Sequence, residues 1–197
     1  MHPVTPGSYS VSLSLIAQGQ AKPLSEEQRF EVKALRTGTL TGASYEEMDA
    51  YREELSLAQK DLRITTAKLA GALKRITAMK QAYYQMDQEV PQLLTRIAEL
   101  EKTALGLQID LSGYSSKSEI GENDGITPRE RLSVASAGLS TSYGPTNMHR
   151  ESLKLGRSEL DPIKTGVKKL TEDMLPLLEQ ELSEAGAPWI EGQEWPE

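Results

Sequence analysis

The stretch that decides the fold is residues 44–86, SYEEMDAYREELSLAQKDLRITTAKLAGALKRITAMKQAYYQM. It opens with a capping box, because the Ser44 hydroxyl can accept a hydrogen bond from the amide of Glu47 while the Glu47 carboxylate reaches back. Apolar or small residues then recur every seven positions in two seams. The first seam is Met48, Leu55, Leu62, Leu69, Ile76 and Tyr83; the second is Tyr51, Ala58, Thr65, Ala72, Met79 and Met86. Five sustained heptads predict a long helix that packs lengthwise against other helices.

Three further apolar residues flank these seams, namely Leu57, Ile64 and Leu73. They widen the expected apolar face of the helix. A wide face favours a helical bundle over a two-stranded coiled coil.

Further helices are predicted after this one. A periodic segment follows Val90-Pro91 and stops at Gly113, a residue type that commonly ends helices. Residues 115–126 form a polar stretch and predict a loop. Thr127-Pro128-Arg129-Glu130 is a second capping box with Pro at the first helical position, so a short helix should begin there.

The last predicted helix carries apolar residues at heptad spacing from Leu153 onward and ends at Gly186. Pro162 and Pro176 lie inside its pattern. Each should kink or split the helix, because proline lacks the amide donor and its ring clashes with the preceding turn. We therefore predict a mainly α protein: an antiparallel four-helix bundle with long helices over residues 44–186, followed by an extended tail over 187–197.

The first forty residues have a different period. Residues Tyr9–Leu15 alternate apolar and serine side chains, and Phe30–Lys33 alternate again, which predicts two strands of a β-hairpin within residues 1–36. Residues 37–43, rich in Thr and Gly, predict a linker. A hairpin alone is marginal in water, so this one should need the helices or further strands beside it.

The composition limits the possible partners. Of 197 residues 38% are hydrophobic and 26% charged, and the formal net charge is −7. Because nucleic acids and anionic membrane surfaces are bound through clustered Lys and Arg, this balance argues against both. No apolar run approaches the roughly 18 residues of a membrane span. The chain has no Cys, and Met1–Pro6 lacks the basic and apolar regions of a signal peptide.

Common catalytic signatures are missing from the sequence. It contains no HExxH, GxSxG, GxxxxGK or GxGxxG pattern. His149 is expected at the surface of a first helical turn, and Asp110 is expected to face outward or to cap a helix end. The other helix carboxylates, Glu179 among them, are expected on solvated faces rather than facing each other across a cleft. We therefore predict no catalytic residue, no metal site and no cofactor.

Three aromatic residues are the candidate contact sites. The neighbours Tyr83 and Tyr84 are interpreted as packing in the bundle plus one surface ring. Trp189, in the segment Gly186-Ala187-Pro188-Trp189, is interpreted first as an anchor of the tail and second as a contact for a partner or a sugar.

Several short motifs resemble one family. The segment Pro6–Leu13 is similar to the PGxYxVxL strand of an Ig-like domain, and Phe30-Glu31-Val32 is similar to its closing strand. Together with Gly144-Pro145-Thr146 and Gly186–Trp189, the helical region resembles the C-terminal end of bacterial sortilin-like β-propeller proteins. Those proteins carry BNR (Asp-box) repeats, and many are labelled glycosyl hydrolase.

The resemblance implies a larger, exported parent protein, periplasmic or extracellular. This chain would be its C-terminal part, with the last two strands of a sandwich plus the helical domain, and its partners would be the upstream propeller and sandwich domains. The SxDxGxxW pattern of the propeller repeats does not occur here. The activity of such a propeller therefore cannot be carried over to this chain.

Three functions stay open at this point. The first is a non-catalytic structural or interaction module, which includes self-association into a homo-oligomer. The second is a glycoside hydrolase-related enzyme fragment, which would need a cleft with two convergent carboxylates. The third is a stand-alone coiled-coil adaptor, which would need a long apolar stripe left exposed by the bundle.

Overall fold

A computed structural model describes residues 4–34, 42–119, 121–122, 125–141 and 143–190, with the side chains of Ser115 and Ser118 left out. Helices account for 66% of the described residues, and a small β-hairpin region precedes them, as the sequence predicted. Most of the predicted linker over 37–43 lies outside these residues. The helices are α1 (Tyr45–Tyr83), α2 (Pro91–Ser112), α3 (Ser115–Glu119), α4 (Pro128–Ala137), α5 (Asn147–Lys169) and α6 (Leu175–Glu184). A 3-10 turn (Gly138–Ser140) follows α4, and a π-helical segment (Leu170–Met174) joins α5 to α6.

Helix α1 confirms the capping box and both seams. The amide of Glu47 donates to the Ser44 hydroxyl at 3.1 Å, and the amide of Ser44 donates to the Glu47 carboxylate at 2.8 Å. Every seam residue is buried or half-buried. The expected wider face is wrong for Leu57 and Ile64, which are 55% and 48% exposed, because the neighbouring helices cover only the side of α1 that carries the seams.

The helices form three columns that lie side by side. Helix α1 is the first column, and α2 and α4, one after the other, form the second. The Arg129 guanidinium near the start of α4 donates to the Ser112 hydroxyl at the end of α2, and also to the Thr66 hydroxyl of α1. The two helices therefore follow one another along the same side of α1.

A third column consists of α5, the π-helical segment and α6, which follow each other without a break. Ion pairs join Glu54 of α1 to Arg157 of α5, and Arg75 of α1 to Glu179 of α6. Since the order of the pairs is the same along both columns, α1 and α5–α6 run parallel.

The hydroxyl of Tyr51 links all three columns at one end. It is hydrogen-bonded to the carbonyl of Ala135 in α4 at 2.7 Å and to the carbonyl of His149 in α5 at 3.2 Å. Burial raises the pKa of Tyr51 above its usual value, and the positive charge of Arg150 opposes this only in part. The Arg150 guanidinium lies 5.7 Å from the centre of the Tyr51 ring.

The two prolines of the third column behave differently. Helix α5 continues through Pro162, whereas Pro176 occupies the first turn of α6, directly after the π-helical segment. A proline removes one helical hydrogen bond and crowds the carbonyl four residues earlier. The wider π turn, which inserts one additional residue into the helix, accommodates this change. The predicted disruption is therefore present near Pro176 as a π-helical segment, whereas Pro162 does not split the helix and a kink there stays a prediction.

Helices α2 and α6 end next to the glycines that the sequence predicted as their ends. Gly113 and Gly186 have positive φ angles of 75° and 85°, as the ends of α2 and α6 require. The predicted loop over 115–126 contains the short helix α3. His149 is buried rather than exposed, because its Nδ1 accepts the amide hydrogen of Thr146 at the start of α5.

The β region is one long two-stranded ribbon. Its strands are β1 (Gly7–Val11), β2 (Ser14–Ala17), β3 (Gln20–Pro23) and β4 (Gln28–Val32); β1 pairs with β4 and β2 with β3, both antiparallel. Gln18 and Gly19 form the tip with φ angles of 54° and 77°, the signature of a type I′ turn. Between the two ladders, the Leu13 carbonyl accepts the amide of Leu24 at 2.7 Å.

A matched pair of leucines on α2 tests the core. Leu100 is 5% exposed and Leu105 is 44% exposed. We expect Leu100→Ala to lower the free energy of unfolding by about 2–5 kcal/mol, because it removes buried methyl groups and leaves a cavity. Leu105→Ala should change it by about 0.5 kcal/mol or less. Urea unfolding followed by circular dichroism measures both; equal losses would contradict the packing of α2.

Tyr51→Phe tests the link between the columns. We expect a loss of about 1–2 kcal/mol in the free energy of unfolding, because two buried carbonyls lose their donor. The raised pKa of Tyr51 means that its contribution is complete below pH about 10, the unfolded value, and is lost as the pH rises through the folded value. Stability above pH 10 should therefore fall more steeply in the unmodified protein than in Tyr51→Phe. The exposed Tyr84→Phe should match the unmodified protein, and identical pH profiles for all three would refute this role.

Candidate functional site

The three aromatic candidates do not form one site. Tyr83 is 7% exposed and belongs to the core, whereas Tyr84 is 67% exposed. Their rings meet edge to face with centroids 5.6 Å apart. Tyr83 therefore packs as the sequence suggested, and Tyr84 is the surface ring.

The tail is held by a different residue from the one expected. Trp189 is 59% exposed, while the next residue, Ile190, is 2% exposed and joins the hydrophobic core. The amide of Ala187 donates to the carbonyl of Leu182, which turns the chain back at the end of α6. Ile190 is thus the buried anchor of the tail, and Trp189 presents its indole to solvent. The sequence offered no signal that separates these two neighbours.

The first candidate surface is the apolar face of the ribbon, defined by Tyr9, Val11, Phe30 and Val32. The register pairs Tyr9 with Phe30 and Gly7 with Val32, so these side chains project from one face of the β1–β4 ladder. The rings of Tyr9 and Phe30 stack with centroids 6.0 Å apart. The opposite face carries Ser8, Ser10, Arg29 and Glu31.

Two of the four side chains on this apolar face are exposed, and Tyr9 and Val32 are half-buried. Val11 is 58% exposed and Phe30 is 49% exposed. Towards the tip the apolar exposure continues with Leu13, Leu15, Ile16 and Leu24, all at least 50% exposed. The neighbours Leu15 and Ile16 project to opposite faces of β2, so this exposure extends over both faces near the tip. Single exposed apolar residues are ordinary, whereas several close together favour an interaction surface.

The second candidate surface lies along α1 and the third column, where ion pairs follow heptad spacing. Asp61 pairs with Lys164 at 2.5 Å, 103 positions further along the chain. Arg75 donates through Nε to Glu179 at 2.9 Å, 104 positions further along. The additional residue of the π-helical segment accounts for this shift of one position.

Glu179 departs from the sequence-based expectation. It is 8% exposed rather than solvated, and its carboxylate accepts hydrogen bonds from two nitrogens of Arg75. The one-residue shift turns this glutamate towards α1. A bidentate guanidinium partner satisfies a carboxylate that burial would otherwise destabilise.

An open groove of about 560 Å³ lies between α1 and the π-helical segment. Its α1 side is low because Ala67 and Gly71 carry little or no side chain, and Thr171 and Leu175 form its other side. Lys68 lies at its edge and makes no ion pair within the described part of the chain. The groove therefore combines an apolar floor with Lys68 and with Glu172, whose carboxylate pairs with Lys168 at 3.7 Å.

A separate groove of about 400 Å³ is lined by two carboxylates, Asp110 and Glu159. Glu159 accepts hydrogen bonds from Arg131 Nε through both oxygens, at 2.9 and 2.7 Å. It thus has a structural partner that holds it in the α4–α5 interface. Asp110 is exposed, as expected.

Two further findings concern the described residues only. They include no group of three or more His, Cys, Asp or Glu side chains placed to hold a metal ion. Among their helices, none has the length and apolar character needed to cross a membrane.

Comparison with known proteins leaves this geometry as the principal guide to function. No family model, no curated protein and no solved structure matches the chain.

Proposed function

We propose that this chain is a non-catalytic interaction module in which the three helical columns form one bundle and the ribbon docks on a β-structured partner. The bundle would serve as a rigid base. The carrying observation is the apolar face of the ribbon, which lies outside the helical core with Val11 58% and Phe30 49% exposed. Burying a fully exposed side chain of this size contributes about 1.5–3 kcal/mol, so covering this face would favour docking.

The partner we propose is the remainder of a β-sandwich. A sandwich strand alternates inward apolar and outward polar residues, and β1 does so with Tyr9 and Val11 on one face and Ser8 and Ser10 on the other. A two-stranded ribbon also has unpaired backbone groups along its outer edges, which a further strand can bind. If the resemblance to exported sortilin-like proteins holds, that sandwich would lie between an upstream propeller and the helices.

The genomic reading frame around this chain tests the proposed parent. We expect upstream codons in the same frame to encode repeats of the form Ser-x-Asp-x-Gly-x-x-Trp. Transcript mapping and mass spectrometry of the natural protein would identify its start. A natural protein that begins at Met1 would contradict the parent.

Amide hydrogen exchange tests the exposed ribbon. In the chain alone, amides in β1 and β4 should exchange much faster than those around Leu69 in α1, because a two-stranded ribbon without a partner is marginally stable. If copies associate through their ribbons, protection should rise with protein concentration. Strong protection of β1 and β4 that does not depend on concentration would show a self-sufficient ribbon and refute the docking proposal.

A matched pair of lysine substitutions separates the two ribbon faces. Phe30→Lys and Ser10→Lys should both leave the free energy of unfolding of the helices within about 0.5 kcal/mol, because both positions are exposed. Only Phe30→Lys should reduce the fluorescence of a dye that binds apolar surfaces. Equal dye binding by both variants would show that the apolar face does not bind the dye, and would contradict its role as an exposed interaction surface.

A further inference from the structure

An apolar stripe at heptad spacing runs along the outside of α1. Leu57 and Ile64 are 55% and 48% exposed, and Gly71 follows seven positions later. A Cβ atom added at Gly71 would meet no atom within 4 Å outside the adjacent turns of its own helix. Glycine in a helix interior costs about 1 kcal/mol relative to alanine, and the packing within the described chain gives no reason for this cost. The open space at Gly71 is part of the 560 Å³ groove beside the π-helical segment.

We propose that this stripe is the interface of a homodimer in which α1 packs against α1 of a second copy in antiparallel orientation, with the two-fold axis at Ile64. Such an interface is isologous, because the same patch is used by both copies. The proposal does not rest on the docking of the ribbon, which lies on a different part of the chain.

The shape of the stripe is self-complementary. In an antiparallel pair centred on Ile64, a residue before Ile64 lies level, to within one position, with the residue equally far after it on the other copy. Leu57 therefore faces Gly71 of the second copy, and its side chain fits the groove over Ala67 and Gly71. This is a knob-in-hole contact of the kind that closes antiparallel helix pairs, and symmetry provides it twice.

The charges on one edge of the stripe are also self-complementary. At heptad spacing this edge carries Glu54, Asp61, Lys68 and Arg75, so the sign changes from negative to positive close to Ile64. Antiparallel packing brings Asp61 near Lys68 of the second copy and Glu54 near Arg75 of the second copy. These contacts would add to the ion pairs that Glu54, Asp61 and Arg75 already make with Arg157, Lys164 and Glu179 of their own chain. Lys68, which makes no ion pair among the described residues of its own chain, gains one.

At heptad spacing the other edge carries Glu53, Lys60, Ala67 and Lys74, so only its two outermost charges follow the same order. Glu53 lies in the first half of α1 and Lys74 in the second, and both are exposed without an ion pair in the described chain. The antiparallel pair places Glu53 beside Lys74 of the second copy. A parallel pair would instead set like charges side by side, which destabilises it. The shape, the first edge and the outermost charges of the second edge therefore favour the same occupant, a second copy of this chain.

Disulfide trapping tests the geometry, and the absence of Cys from the sequence gives a clean background. At a two-fold axis the two Ile64 Cα atoms should lie within the roughly 4.4–6.8 Å that a disulfide spans. Ile64→Cys should therefore form a covalent dimer under mild oxidation. The control Arg63→Cys, also exposed but about 100° further round the helix, should remain largely monomeric. Equal trapping of both variants, or of neither, would overturn the proposal.

Sedimentation equilibrium tests the charge order. The unmodified chain should show a reversible monomer–dimer equilibrium. Lys74→Glu should raise its dissociation constant about tenfold, because two symmetric attractive contacts become repulsive. The combined variant Glu53→Lys with Lys74→Glu should restore it. A monomer at all concentrations tested, or failure of the combined variant to recover, would overturn the proposal.

Gly71→Leu separates loss of the dimer from loss of the fold. The new side chain would fill the space that receives Leu57 of the second copy, so the dimer should be lost. The monomer should remain folded with equal or higher helix stability, since leucine favours helix more than glycine does and no atom opposes its Cβ. A Gly71→Leu protein that dimerises like the unmodified chain would refute the knob-in-hole contact.

Discussion

The buried seam of α1 is the constraint on which the rest of the structure depends. A helix of 39 residues is not held by propensity alone, and its stability comes from the packing of one face. The two columns beside it are each long enough to cover this face only when their helices are taken together. Helices α2 and α4 share one column because neither is long enough to cover α1, and the third column is completed only where the π-helical segment joins α5 to α6.

The π-helical segment determines which side chains at the end of the third column face α1. Without its additional residue, the heptad partner of Arg75 would be Leu178. With it, Glu179 meets Arg75, and Leu178 is buried in the core at 1% exposure. One proline therefore influences the structure in two ways: it prevents a regular helix at Pro176, and through the π turn it selects the polar contact three residues later.

The sequence predicts the elements better than their environments. Heptad spacing and the capping residues gave the long helix and the ends of α2 and α6, since these signals are local. The burial of Leu57, Glu179 and His149 depends on which sides of their helices the neighbouring columns cover, and no local pattern carries that information. The same holds for Trp189 and Ile190, which are adjacent in sequence and opposite in burial.

The order of charges along α1 also specifies direction within a single chain. From its start to its end α1 changes from acidic to basic at the edge facing the third column, whereas the third column changes from basic Arg157 and Lys164 to acidic Glu179. Parallel packing matches opposite signs at every level. A misfolded arrangement with the third column reversed would place Glu54 near Glu179 and Arg75 near Arg157, and a slip by one heptad would bring Lys68 beside Lys164. The charge order thus specifies the direction in which the columns pack and disfavours alternative topologies during folding. Without it, apolar seams of similar spacing could pair in either direction.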